Sequence, residues 1–279
     1  MPRPRLSLFV FYLLAFALSW TVWYPLVAFR LGYGPPASAG FHLLGSLGPA
    51  FAAVLVSLLP FSPIAFRTLL ARLSWRRTSL RGLAFAIGLP VTIGLAGLFA
   101  QAQFSGSPMS FDGVTRSREF PELTGLMVMA ASVLFYGFGE EIGWRGYALP
   151  VINRRLDGLS SALVMTLPWA LWHIPLLLSS PTYQSLGMAG LAGWVVSLAT
   201  GSVMLTYLFH LSGRSLIVVA IFHAFIDLAM TNSAVQPIGT QAMGALVTLV
   251  GIAAAFGCRH IAKDAFWPRS EDGAPARRI

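Results

Sequence analysis

Of 279 residues, 56% are hydrophobic and 10% charged, and mean hydropathy is +0.71, which leaves too little polar surface to clothe a soluble fold. Nineteen basic against ten acidic side chains would ordinarily raise nucleic acid as a partner, but these bases lie between apolar runs and form no patch, so no nucleic-acid partner is expected. The single Cys258 excludes an intrachain disulfide framework, and the remaining class is an integral membrane protein.

Crossing a hydrocarbon core takes about 20 mostly apolar helical residues. Eight runs meet or approach that length: Leu6 to Phe29, Ala39 to Phe61, Leu83 to Phe104, Leu123 to Leu149, Ser161 to Leu178, Met188 to Leu211, Ser215 to Met230 and Gln241 to Phe256. The fifth, seventh and eighth are short. The first run continues past Ala15-Phe-Ala17 through Trp20 and Trp23, which reads as an uncleaved span and not a signal peptide. The expectation is an all-α polytopic protein of the cell membrane, in contact with its lipids, with one domain over 1–279 and a polar tail over 263–279.

Eight spans put both termini on one side. All of the nineteen Lys and Arg except Arg30, Arg116 and Arg118 fall on that side, so the positive-inside rule predicts cytoplasmic N- and C-termini. The loop from Phe66 to Arg81 carries Leu69, Leu70, Leu73 and Trp75 among its bases. It reads as an anchor in the headgroup region.

Ionisable residues within spans are costly and therefore few. The fourth span holds Gly137-Phe-Gly-Glu140-Glu141-Ile-Gly-Trp-Arg145-Gly-Tyr147, and Pro150 predicts a helix end near Leu149. At i and i+4, Glu141 and Arg145 share a face and can pair, whereas Glu140 is turned about 100° away and has no charged partner at that spacing. The fifth span carries Trp169-Ala-Leu-Trp172-His173-Ile-Pro175, with the proline loosening the helix around His173, and the seventh projects His223 and Asp227 from one face. Counting from the Arg-rich end of each span puts Glu140 and His223 about 12–13 Å deep and His173 and Asp227 about 18 Å deep, so the four can converge. His42, His210 and His260 read as interfacial or structural.

A carboxylate and two imidazoles at one depth support two kinds of hydrolysis. In one, Glu140 takes a proton from water, His173 orients that water, and His223 with Asp227 face the oxyanion. In the other, the two histidines and a carboxylate bind zinc. No His-Glu-x-x-His segment is present, so no cofactor is expected, although spacing alone leaves a zinc site open.

These residues resemble the signature motifs of the CAAX protease and bacteriocin-processing family, the intramembrane glutamate endopeptidases related to the eukaryotic prenyl-protein endopeptidase. The resemblance covers Leu123 to Met230. It implies that Glu140 and His173 activate water, that His223 and Asp227 form the oxyanion site, and that Glu141 and Arg145 support them. It also implies a peptide or membrane-associated protein substrate, lipidated in some relatives. Trp169 stands where the second motif often has Phe, and Asp227 where the prenyl-protein enzymes have Asn. An un-ionised Asp227 would donate as that Asn does, whereas an ionised one would orient His223 instead. The alternatives are a non-catalytic bacteriocin-immunity or scaffold protein, and a proton-coupled transporter using buried Glu and His as a relay.

Overall fold

The computed structural model describes residues 2–29, 36–184 and 186–267. Arg30, Arg269, Arg277, Arg278 and the tail beyond residue 267 lie outside the described residues, as does the side chain of Arg77. In chain order the helices are α1 (Pro4–Ala28), α2 (Ala39–Ser57), α3 (Phe66–Arg72), α4 (Leu80–Ser105), α5 (Leu126–Asn153), α6 (Gly158–Trp172), α7 (Ile174–Ser179), α8 (Gly187–Leu211), α9 (Leu216–Thr231) and α10 (Pro237–Cys258). Six of them, α1, α2, α4, α5, α8 and α10, are long and apolar enough to cross a membrane, and α6 and α9 are shorter apolar helices. The chain is thus an all-α, multi-pass membrane protein. Among the described residues there is no strand, only isolated bridges pairing Arg116 with Thr124 and Ser117 with Asn232.

Local chemistry sets the helix starts at the Arg-rich end. Ser79, Asp157 and Ser215 accept from the backbone N–H of Gly82, Ser160 and Val218, which caps α4, α6 and α9. The Ser160 N–H holds the Asp157 carboxyl below the ordinary carboxylate range. The eighth span is a full-length helix, not a short one, because Pro237 in its first turn starts it before Gln241. On α6, Leu163, Leu167 and Leu171 form an exposed apolar stripe at i, i+4 and i+8, a face suited to lipid.

A further expectation is corrected. The helix does not end near Leu149: α5 runs through Pro150 to Asn153. Proline cannot donate to the carbonyl four residues back, that of Gly146, and the Arg72 guanidinium donates to that carbonyl at 2.6 Å instead. The Phe66 to Arg81 loop contains two short helical pieces. They are α3 and a 3₁₀ turn at Trp75–Arg77, and Arg72 is buried, with a second bond of 2.6 Å to the carbonyl of Phe266.

Helix α5 lies between α2 and α9, and its glycines allow that closeness. A Cβ on Gly137 would strike the carbonyl of Ala220 on α9, and one on Gly143 would meet Pro49 on α2. Two π-helical stretches, Ser132–Phe138 and Trp144–Ala148, flank the α-helical Gly139–Gly143. The segment with both glutamates is therefore framed by the wider turns that recur at functional sites.

Candidate active site

Glu140 and Glu141 sit at the centre of α5, facing different neighbours as their spacing requires. Glu140 is 4% exposed. Its Oε2 accepts from two indoles, Trp169 Nε1 at 2.8 Å and Trp144 Nε1 at 3.3 Å. Trp144 lies one turn further along α5, the i+4 place that Arg145 holds relative to Glu141.

Glu141 and Arg145 are both fully buried and paired at 2.8 Å. The oxygen that accepts from Arg145, Oε1, also contacts His223 Nδ1 at 2.7 Å. An oxygen already accepting from a guanidinium is an acceptor for the imidazole as well, so His223 carries its proton on Nδ1. Its other nitrogen, Nε2, is 3.4 Å from Asp227 Oδ2. One side chain on α9 thus links the two carboxylates Glu141 and Asp227.

His173 is positioned by the break between α6 and α7. Pro175 cannot donate a backbone N–H, the His173 N–H turns back to Ala170, and the carbonyl of Trp169 accepts from His173 Nδ1 at 2.8 Å. A carbonyl only accepts, so neutral His173 is protonated at Nδ1 and presents Nε2 as an acceptor. Trp169 ties the cluster together: its ring meets His223 edge-on at 5.7 Å and carries the Arg145 guanidinium at 4.6 Å from its centroid.

All six residues singled out by their chemistry, Glu140, Glu141, Arg145, His173, His223 and Asp227, therefore share one connected site. Further residues adjoin this site. His42, expected to be interfacial or structural, is buried, and its Nε2 lies 3.3 Å from the Tyr136 hydroxyl, which donates to Glu119 Oε2 at 3.1 Å. Trp144 was legible at i+4 from Glu140, but Glu119, in a polar loop, gave no signal. Among the described residues no three His, Cys, Asp or Glu side chains are arranged to hold a metal ion.

The loop bearing Glu119 is fastened over the far end of α9. Arg118 donates to the carbonyls of Met230 and Val235 at 2.7 and 2.8 Å, capping the helix that carries His223 and Asp227. Burial and the nearby Asp227 push the Glu119 carboxyl up to about 7, opposed by the Tyr136 hydroxyl and Arg118. A raised carboxyl pKa favours the folded loop fully below the unfolded value near 4.5, and that contribution is lost as pH rises through about 7. Hydrogen exchange over residues 114–125, corrected for intrinsic rates, is expected to quicken from pH 5 to pH 8. In Glu119→Gln this pH dependence should disappear, and an unchanged dependence would locate it elsewhere.

Residues 122–229, which contain all six motif residues, match the family described as type II CAAX prenyl endopeptidase Rce1-like. This segment is similar to that family. The similarity extends to a curated protein of Methanococcus maripaludis named CAAX prenyl protease 2, at 27% identity over 146 residues, 51% of this chain and 49% of that protein. The chain thus spans about half the length of the curated relative it matches. The matched segment runs from the loop before α5 into α9 and includes Glu140, His173, His223 and Asp227.

Proposed function

We propose that this chain is an intramembrane glutamate endopeptidase that cleaves a peptide bond in the half of the membrane nearer its Arg-rich end, with that end cytoplasmic. Glu140 carries the proposal: a buried carboxyl group bonded through one oxygen and sharing its site with two oriented imidazoles. The similarity to a protein named CAAX prenyl protease 2 supports a substrate that is a prenylated peptide or protein.

In this reading Glu140 takes a proton from water as the water oxygen attacks the carbonyl carbon, and His173 Nε2 accepts the water's second hydrogen. The carbonyl electrons move to oxygen, and the oxyanion faces His223 and Asp227, which hold a proton between Nε2 and Oδ2. Glu140 then passes its proton to the leaving amine as the C–N bond breaks. Glu141 anchors His223 through Nδ1, and Arg145 neutralises Glu141.

The test compares peptide termini in membranes carrying wild-type protein and Glu140→Gln. A terminus made only by the wild type is expected, and identical profiles would favour a non-catalytic scaffold. The proposed water activation needs no metal, so chelation should leave the purified protein's activity intact. Stoichiometric zinc that leaves and returns together with activity would overturn the metal-free form.

Asp227 discriminates two versions of the oxyanion site. If it donates as a neutral acid, Asp227→Asn keeps most activity and extends it to higher pH, while Asp227→Ala loses about 10² to 10³. If it serves as an ionised partner orienting His223, Asn is nearly as damaging as Ala. The 3.4 Å approach of Oδ2 to Nε2 fits a proton shared in either direction, and the neutral-donor version is the one proposed. A pH-rate profile of the three proteins decides.

A further inference from the structure

Trp169 touches every polar residue on which the proposed chemistry draws except Asp227 and Glu141. Its indole N–H makes the shorter of the two bonds to Glu140, 2.8 Å against 3.3 Å from Trp144, and both end on Oε2. Its carbonyl accepts from His173 Nδ1 at 2.8 Å, its edge-on ring contacts His223, and the Arg145 guanidinium covers its face. The residue is 4% exposed, so these contacts are made away from bulk water.

The geometry assigns to Trp169 the role of a positioning residue that aims Glu140 and His173 at one water molecule. Its N–H holds Oε2 and leaves Oε1 to receive the proton, while its carbonyl selects the His173 tautomer whose Nε2 accepts. The two bonds differ in what substitution can remove. The carbonyl belongs to the backbone and survives any side chain, whereas the N–H is a property of tryptophan that phenylalanine lacks. In this chain, therefore, the alignment of Glu140 is set from α6 by an indole N–H, and its removal should leave His173 in place. The inference rests on the proposed role of Glu140 as the base.

The decisive variant carries 3-benzothienylalanine at position 169, which keeps the bicyclic shape and replaces N–H by sulfur; Trp169→Phe serves as its genetically simple counterpart. Both are compared with wild type and Glu140→Gln in lipid nanodiscs, using a farnesylated fluorogenic CAAX peptide as probe. The expected result is a kcat lower by about tenfold to a hundredfold in the benzothienyl protein, the usual weight of a hydrogen bond to a charged group, with KM and thermal midpoint unchanged. A purely structural role would lower the midpoint or leave both constants alone, since the isostere fills the same space. Unchanged kcat in the benzothienyl protein, with Glu140→Gln inactive, overturns the role of Trp169 and leaves the base standing. Full activity in Glu140→Gln overturns the role of Glu140 as the base, a wild type inert on the probe overturns the proposed reading of a prenylated-peptide endopeptidase, and this inference falls with either.

Discussion

Glu140→Gln is expected to lower the hydrolytic rate by about 10² to 10⁴, the range assigned to general-base catalysis, while the protein remains folded. The amide matches the carboxylate in size and still accepts from the indoles of Trp169 and Trp144 through its oxygen, so the packing around Oε2 persists. What it cannot do is take up a proton at the other atom. Purified protein in nanodiscs, checked for a wild-type thermal midpoint and assayed on the farnesylated peptide, provides the measurement. Substantial proteolysis by a well-folded Glu140→Gln would refute the assignment of the base.

The largest effect on stability is expected from Arg145→Met. Arg145 and Glu141 are both at 0% side-chain exposure, and removing one member of such a pair leaves an uncompensated buried charge at a cost of about 3–5 kcal/mol. Total stabilities are about 5–15 kcal/mol, so the single variant should lose much of its folded population. Adding Glu141→Gln removes the stranded charge while keeping an oxygen for His223 Nδ1, and most of the lost stability should return. Chemical denaturation in detergent of the two single variants and the double variant supplies the cycle. A single Arg145→Met as stable as wild type would show that His223 alone compensates Glu141.

Several features of this site follow from one-dimensional spacing. The i, i+4 rule paired Glu141 with Arg145 and placed His223 beside Asp227, both of which are observed contacts. Apolar run length located the six helices long and apolar enough to cross a membrane and the two shorter apolar ones, although it shortened α10 by overlooking Pro237 as a first-turn residue. Depth counting brought Glu140, His173, His223 and Asp227 to comparable levels, because helical rise is constant and each count began at a recognisable polar boundary.

Spacing could not supply contacts between helices. The bond of His223 with Glu141 across α9 and α5, the indole of Trp169 on Glu140, and the path from His42 through Tyr136 to Glu119 all join residues far apart in the chain. The same holds for Pro150. Read alone it ends a helix, yet α5 continues because Arg72 satisfies the carbonyl that the proline leaves unpaired.

The sequence by itself determined that this is a polytopic helical membrane protein and which ionisable residues lie within its spans, since hydrophobic length and the cost of buried charge act along a single helix. It also carried the motif residues that lie within the segment similar to the Rce1-like family. Only the tertiary structure decided which partner each of those residues has on another helix. That choice depends on how closely neighbouring helices approach, and here the glycines facing α2 and α9, the break at His173 and the reach of Arg72, Trp169 and Arg118 set that approach. In a low-dielectric interior every buried polar group requires a partner, but the sequence states the requirement without stating which helix will meet it.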